Sequence, residues 1–156
     1  MIIRKEVEIE AAIQEVWNKI TDIDDLVKSL PSVEKVEPAG ENQRQIVSRI
    51  DVGLISIVFD INFRVTKLLP PIHFEAQSDA RARKRLGQVS QTHTVDLVKV
   101  SESRTQVKYE SQVALKGLVK ILGQTILSQK MEKVANEFSE AFINTLKKIS
   151  SPQETL

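Results

Sequence analysis

The side chains in this 156-residue sequence that are best able to do chemistry are His93, Tyr109 and Gln91. Each alternates with apolar residues along its segment, and this period of two places all three on the inward face of β-strands. A neutral imidazole beside a phenol can hydrogen-bond a carbonyl oxygen of a bound molecule. The alternative is a structural role, with the histidine satisfied by Gln91 or by the backbone and the tyrosine reaching from the core to its rim. Both interpretations stay open on the sequence.

Motifs that would indicate an enzyme are missing from the sequence. It contains no G-x-S-x-G nucleophile motif and neither of the glycine-rich loops that hold nucleotide phosphates, so we predict no catalytic residue and no cofactor. The sequence has no cysteine, and His73 is expected on the opposite face of the sheet from His93, so we also predict no metal site. An enzyme would depend on His93 and Tyr109 alone, and it ranks last among the functions that the sequence allows.

A run of four cations, Arg81, Arg83, Lys84 and Arg85, is the most unusual feature of the predicted surface. At the tip of a hairpin it would suit anionic lipid headgroups or an acidic protein partner. Nucleic acid fits less well, because no aromatic side chains alternate with these charges and the net charge of the chain is only +1. The structural alternative, a charged tip that protects the edges of the sheet, agrees equally well with the sequence.

Composition is typical of a soluble globular domain, with 41% hydrophobic and 28% charged residues. No stretch approaches the roughly 18 apolar residues that a membrane-spanning helix needs, and the amino-terminal residues lack the pattern of a secretory signal. We therefore expect a cytoplasmic protein. Any membrane contact should be peripheral and on the inner face of the cell membrane.

Hydrophobic periodicity predicts the elements that position these side chains. A half-buried strand over residues 2–9 precedes a short amphipathic helix over residues 13–20. A second short helix is capped by Asp22 and stopped by Pro31. Residues 33–115 then follow a period of two through six strands joined mostly by tight turns, which favours a largely antiparallel sheet.

A long carboxy-terminal helix is predicted from residue 117 to Ile149, where the apolar period returns to 3.6. It would close over the curved seven-stranded sheet and complete one domain over residues 1–149, followed by a disordered tail at residues 150–156. The first turns of this helix, Gly117–Leu127, are apolar on nearly every side. That pattern fits either the buried start of a helix or a mobile lid.

A cavity between helix and sheet is expected because inward positions of the later strands carry small or polar residues such as Ala76, Ser78 and Ala80. Packing by leucine and isoleucine is the alternative, since it would close the space. We predict that a small apolar molecule binds in this cavity. The predicted lining residues are Phe59, Phe63, Phe74, Gln91, His93 and Tyr109 from the sheet, and Ile121, Leu127, Met131, Val134 and Phe138 from the helix.

A family resemblance is carried by several short segments: Trp17 in the first helix, Leu30-Pro31-Ser32-Val33-Glu34-Lys35-Val36, Val52-Gly53-Leu54-Ile55, Leu69-Pro70-Pro71 and Gly117-Leu118. At this mutual spacing the sequence resembles the CoxG family, the G subunit of carbon monoxide dehydrogenase, within the START/Bet v 1-like (SRPBCC) superfamily. The resemblance covers nearly the whole chain. One departure is the hairpin at residues 82–87, where family members often carry more glycine.

The resemblance implies the α+β helix-grip fold: a curved seven-stranded antiparallel sheet, two short helices, a long C-terminal helix and an internal apolar cavity. It also implies an accessory role beside a molybdenum hydroxylase, through membrane recruitment or quinone handling. We therefore expect a non-enzymatic accessory protein that binds a small hydrophobic molecule, quinone-like or lipid-like, between the sheet and the helix. The alternative is an interaction protein that recruits a molybdenum-containing dehydrogenase to the membrane without a bound ligand.

Overall fold

Seven strands form one antiparallel sheet in the computed structural model, which describes residues 1–28, 32–122, 133 and 140. In chain order the elements are β1 (Ile2–Ile9), α1 (Ile13–Ile20), α2 (Ile23–Lys28), β2 (Val33–Gly40), β3 (Gln43–Val52), β4 (Ile55–Leu69), β5 (His73–Ala82), a 3-10 turn (Arg83–Arg85), β6 (Gly87–Ser101), β7 (Arg104–Lys116) and α3 (Leu118–Leu122). The strands lie side by side in the order β1-β7-β6-β5-β4-β3-β2. The first and last strands are therefore neighbours, and β1 and β2 form the edges.

The period-two pattern of the sequence is visible directly in the burial of β4. Ile57, Phe59 and Phe63 are buried, whereas Asp60 between them is exposed. The strand ends at Leu69, immediately before two prolines that cannot both continue the hydrogen-bonded ladder. The predicted seven-stranded antiparallel sheet is confirmed.

The first short helix, α1, has the amphipathic pattern that the sequence predicts. It buries Val16, Trp17 and Ile20. These side chains join one apolar cluster with residues from β6 and β7, including Val95 and Val107. We call the face of the sheet that carries this cluster the inner face. The helix therefore covers one end of the inner face and leaves the remainder for other elements.

Asp22 caps the second short helix, as predicted. Its Oδ1 atom accepts a hydrogen bond from the backbone N–H of Asp25 at 3.2 Å, which satisfies one of the free donors in the first turn of α2. The helix ends at Lys28. The predicted stop at Pro31 lies outside the described residues.

An ion pair between Asp24 and Arg44 connects α2 to β3. The Arg44 Nε atom donates to Asp24 Oδ1 at 2.9 Å, and Nη1 donates to the carbonyl oxygens of Gly40 and Gln43 at 2.9 and 2.8 Å. Only 11% of the Arg44 side chain is exposed. The hydrogen bond from Arg44 lowers the pKa of the Asp24 carboxyl group. Acidic residues at the start of α2 thus have structural partners.

A second apolar cluster lies at the other end of the inner face and includes Val119 of α3. Val119 is fully buried beside Phe59, Val89 and Val113. Its backbone N–H donates to the carbonyl oxygen of Leu86 at 2.8 Å, which fixes the start of α3 to the β5–β6 hairpin. α3 therefore covers the inner face at the end opposite α1.

Two glycines allow the close approach of α3 to this hairpin. Gly87 and Gly117 have φ angles of 127° and 79°. A Cβ atom added to Gly87 would lie 2.2 Å from the carbonyl oxygen of Lys116, and one added to Gly117 would lie 2.9 Å from the Cα atom of Gly87. Only glycine fits at these positions without a backbone shift.

The predicted helix from residue 117 to Ile149 begins as α3, and most of its remaining length lies outside the described residues. Lys133 and Glu140 are helical and exposed, which agrees with their place on the predicted polar side. The helix over its full length stays a prediction. The tail at residues 150–156 also lies outside the described residues.

Candidate functional site

The middle of the inner face carries a group of polar side chains from β5, β6 and β7. His93 pairs directly with Ala76 on β5 and with Ser111 on β7. Directly paired residues of antiparallel strands point to the same face, and their diagonal neighbours are within reach of aromatic side chains. The register therefore brings Ser78 and Tyr109, the diagonal neighbours, to the two sides of the imidazole.

Both ring nitrogens of His93 have hydrogen-bond partners. Nε2 lies 2.9 Å from the hydroxyl oxygen of Ser78, and Nδ1 lies 2.8 Å from the phenol oxygen of Tyr109. The structural alternative considered from the sequence named Gln91 or the backbone as partners of this histidine. The partners are instead a serine and a tyrosine on the two adjacent strands, and Gln91 donates from Nε2 to Ser111 Oγ at 3.4 Å.

Burial keeps His93 and Tyr109 uncharged. It lowers the pKa of the His93 imidazole to about 4, because an enclosed ring loses the hydration that stabilises its cation. Burial likewise raises the pKa of the Tyr109 phenol to about 12, and a hydrogen bond with Ser111 opposes part of this change. At neutral pH the pair consists of a neutral imidazole and a neutral phenol.

Aromatic side chains border this polar group. The Phe63 ring is tilted by 50° to the His93 ring, and the centroids of these two rings are 6.2 Å apart. The Tyr109 ring is stacked on the His93 ring, with a centroid distance of 6.0 Å. Of the other predicted lining residues, Phe74 is buried in the α1 cluster and Phe59 in the α3 cluster. The site thus joins a neutral polar centre to apolar walls on both sides.

Two serines that were not among the predicted lining residues belong to this site. Ser78 and Ser111 are buried and contact the predicted polar residues directly. The alternation of β5 and β7 already places both serines on the inner face. Their role as partners of His93 and Gln91 depends on strand register, which alternation alone does not specify.

Predicted lining residues from the helix are only partly described by the structure. Ile121 is 69% exposed, because Val119 is the residue of α3 that enters the buried cluster. The structure thus places Ile121 on the outside of the site. Leu127, Met131, Val134 and Phe138 lie outside the described residues.

The basic run occupies the β5–β6 hairpin, as predicted. Arg83 makes a bidentate ion pair with Asp60, with Nε and Nη2 at 3.0 and 2.8 Å from the two carboxylate oxygens. Arg81, Lys84 and Arg85 are exposed, and none of them forms an ion pair within the part of the chain that the structure describes. One of the four cations is therefore held against the sheet.

His73 lies on the outer face of the sheet, away from His93. Its Nδ1 atom lies 2.6 Å from Asp96 Oδ1, and its Nε2 atom lies 3.6 Å from Glu75. Within residues 1–28 and 32–122, no group of three or more His, Cys, Asp or Glu side chains is arranged to hold a metal ion. No helix of the described residues is long and apolar enough to cross a membrane.

Solved structures with low sequence identity share this fold. A conserved protein from Geobacillus kaustophilus has a TM-score of 0.80 at 22% identity, over 95% of this chain and 96% of that chain. The ZhuI aromatase/cyclase from Streptomyces sp. R1128 has a TM-score of 0.68 at 13% identity, over 100% of this chain and 99% of that chain. A START superfamily protein from Mycobacterium smegmatis has a TM-score of 0.63 at 12% identity, over 95% of this chain and 98% of that chain. The protein therefore has a START-like α+β fold.

The sequence model that describes the G subunit of carbon monoxide dehydrogenase (CoxG) matches residues 6–147. This match covers most of the chain, and the protein belongs to the CoxG family. The resemblance noted from the short sequence segments is thereby confirmed. A search of curated proteins found no match.

Proposed function

We propose that this protein holds a small apolar molecule, quinone-like or lipid-like, against the inner face of its sheet and does not transform it. The observation that carries the proposal is the state of His93 and Tyr109. Both are enclosed by protein strongly enough to shift their pKa values, yet both keep part of their surface accessible. Side chains with these two properties together are typical of the lining of an internal space.

The surroundings of His93 suit an apolar occupant. The neighbouring side chains on the inner face include Phe63, Val95 and Val113, which are buried and apolar. The buried cation on this face, Arg44, is already paired with Asp24. Such a surface gives little stabilisation to a charged molecule. Hydrocarbon that moves onto it from water is stabilised by about 25 cal/mol per Å² of apolar surface buried.

Holding without catalysis is favoured by the protonation states of the polar pair. An efficient general base or acid has a pKa near the working pH. The imidazole of His93, with a pKa of about 4, is a weak base, and the phenol of Tyr109, with a pKa of about 12, is a weak acid. These groups suit hydrogen bonding better than proton transfer.

A cavity-filling variant tests this proposal with the neutral dye Nile red. Ala80 lies on the inner face between Ile61 and Val89, so Ala80→Leu should occupy part of the space. Ala114, which is exposed on the outer face of β7, provides the matched control Ala114→Leu. Saturable dye binding should weaken about tenfold in Ala80→Leu and stay unchanged in the control. Equal binding by both folded variants, or no saturable binding to the wild type, would contradict the proposal.

A second candidate function, recruitment to an anionic membrane, is favoured by exposed apolar side chains at one end of the sheet. Leu54 at the tip of the β3–β4 hairpin is fully exposed, and Ile55 is 56% exposed. Leu118 and Ile121 of α3 are 47% and 69% exposed. All four lie toward the end of the sheet where β4 and β6 begin and β7 ends. Exposed apolar side chains at one end of a protein are typical of interaction surfaces.

Exposed cations accompany these apolar side chains. Lys84 and Arg85 precede Leu86, whose carbonyl oxygen is bonded to α3, and Lys120 is exposed on α3 itself. Cations beside apolar groups suit a bilayer that contains anionic lipids, at about 1 kcal/mol for each cation. In this second candidate the protein is cytoplasmic, docks on the inner face of the cell membrane and recruits a molybdenum-containing dehydrogenase.

Vesicle co-sedimentation tests the second candidate. Binding to vesicles containing phosphatidylglycerol should fall more than tenfold when Lys84 and Arg85 are both changed to Ser. The matched control changes Lys67 and Lys108 to Ser, because both are exposed and lie toward the opposite end of the sheet. Equal sedimentation of the two double variants would remove the membrane function and leave the ligand-holding proposal intact.

A further inference from the structure

Gln91 lies on β6 near the centre of the inner face and is only half-buried there. Its direct partners in the sheet are Ser78 on β5 and Val113 on β7. Val113 is buried and apolar, and so is Val89, two positions earlier on β6. Because alternate residues of a strand point to the same face, the Gln91 side chain stands beside that of His93. The amide therefore lies where a bound molecule would contact the sheet.

One end of the Gln91 amide contacts the neighbouring strand. Nε2 donates to Ser111 Oγ at 3.4 Å, a long hydrogen bond between β6 and β7. An amide nitrogen can donate but cannot accept, so the serine oxygen is the acceptor. This orientation of the amide turns the carbonyl oxygen, Oε1, away from Ser111.

The carbonyl oxygen Oε1 of Gln91 accepts no hydrogen bond within the part of the chain that the structure describes. Ser78 faces Gln91 across β5 and β6, but its hydroxyl oxygen lies 2.9 Å from His93 Nε2 instead. Among the same residues, no fully enclosed side-chain oxygen or nitrogen lacks a partner, so Oε1 borders accessible space. An amide carbonyl group among apolar side chains is stabilised by a donor, and leaving it without one is costly.

We propose that Oε1 of Gln91 is the polar contact for the bound molecule, and that this molecule carries a hydroxyl group, as an alcohol or a phenol does. The inference rests on the proposed function, because it requires a ligand on the inner face. The carbonyl oxygen can only accept, and a hydroxyl group is a neutral donor. The ligand is then an apolar body with one hydroxyl group directed at β6.

A neutral donor fits this face better than an ammonium group does. By alternation, the inward positions of β4, β5, β6 and β7 carry no Asp or Glu. A cation bound to Gln91 would therefore be enclosed without a counterion, and this is costly. His93 is neutral, and the nearly buried Arg44 is already bonded to Asp24 of α2.

Three probes of matched size test the proposal on the intact protein: diphenylmethane, benzophenone and diphenylmethanol. Of these, diphenylmethanol alone can donate a hydrogen bond. Gln91→Met keeps the length of the side chain but removes the carbonyl oxygen, so the dissociation constant of diphenylmethanol should rise about tenfold. Those of diphenylmethane and benzophenone should stay within about twofold. The matched control Gln88→Met, on the exposed outer side of β6, should leave all three unchanged.

Three outcomes of this comparison would overturn the proposal while leaving the holding function intact. Equal weakening of all three probes by Gln91→Met would give Gln91 a role in the shape of the site only. Weakening of benzophenone instead of diphenylmethanol would mean that the amide presents Nε2 to the ligand. An unchanged dissociation constant of diphenylmethanol would mean that its hydroxyl group does not contact Gln91.

Nile red separates these outcomes from a failure of the proposed function. Saturable binding of Nile red to the wild type, with none of the three probes bound, would reject the hydroxyl-bearing class of ligand alone. Absence of binding by Nile red and by all three probes would contradict the holding function itself.

Carbon NMR of the wild-type protein, labelled at the side-chain carbonyl carbon of glutamine, gives a second measurement that needs no variant to fold. The Gln91 signal, assigned through the backbone, should move downfield when diphenylmethanol binds, because a hydrogen bond to Oε1 polarises the carbonyl group. Diphenylmethane should displace it much less. Equal displacement by the two probes would show that no bond to the hydroxyl group forms, and it would overturn the proposal.

Discussion

The imidazole Nδ1 atom of His93 and the phenol oxygen of Tyr109 lie 2.8 Å apart across β6 and β7, although these residues are not paired directly in the sheet. His93 is paired with Ser111, and Tyr109 with Val95. The contact is therefore a diagonal one, which the long phenol side chain can bridge. It connects two neutral buried groups, and their protonation states give the first predictions.

Tyr109 should resist ionisation in the folded protein. It is the only tyrosine in the chain, so ultraviolet absorbance reports it alone. Burial raises its pKa to about 12, so little phenolate should form at about pH 10.5 while the protein stays folded. The unfolded chain should titrate near pH 10, so stability should fall as the pH rises above about 10. A folded-state titration centred near pH 10 would show that the phenol is not enclosed.

His93 should make the folded state sensitive to mild acid. Its pKa is lowered from 6.5 to about 4, so the unfolded chain takes up the proton first as the pH falls. The contribution of neutral His93 to the free energy of unfolding is complete above about pH 6.5. It is lost progressively as the pH falls to about 4, and the loss is on the order of 3 kcal/mol. Urea unfolding from about pH 7 to about pH 4.5 should show a smaller loss in His93→Gln than in the wild type.

The contact between Gly87 and Gly117 should be intolerant of a side chain. Gly87→Ala would place a methyl group 2.2 Å from the Lys116 carbonyl oxygen in a backbone conformation that suits glycine, so we expect a loss of about 2 kcal/mol or more in unfolding free energy. Gly53→Ala is the matched control. Gly53 also has a positive φ angle, of 62°, but nothing lies within 4 Å of the added Cβ atom, and a loss of about 1 kcal/mol is expected there. Equal losses at the two glycines would contradict the close packing of α3.

Arg44 should contribute more to stability than exposed arginines do. Arg44→Ala removes three hydrogen bonds around a nearly buried side chain, and a loss of about 2 kcal/mol is expected in urea unfolding. Arg4→Ala removes an exposed ion pair with Glu110, which should cost less than about 0.5 kcal/mol. A comparable effect of the two substitutions would mean that Arg44 does not hold α2 against β3.

Much of the fold follows from periodicity and chain-stopping residues. The alternation through Ile57, Phe59 and Phe63 predicts β4, and the pattern around Trp17 predicts α1. Leu69 is the last residue of β4 because two prolines follow it. These signals are local in the chain, and they can therefore be read without knowledge of the neighbouring elements.

The site was only partly predictable because its contacts depend on register. Alternation placed His93 and Tyr109 on one face, but the choice of Ser78 as a partner depends on which residues are paired between β5 and β6. The exposure of Ile121 depends on how α3 is held by Leu86. Likewise, the pairing of Arg83 with Asp60 bridges 23 positions of sequence and leaves no local signal.

Native mass spectrometry of the untreated protein tests the central claim most directly. If the inner face holds a small apolar molecule, the spectrum should contain a species heavier than the 17.6 kDa chain, and the added mass should be lost on extraction with organic solvent. Ala80→Leu should carry less of this species than Ala114→Leu. A wild-type spectrum that contains only the bare chain, together with no uptake of added apolar molecules, would contradict the account.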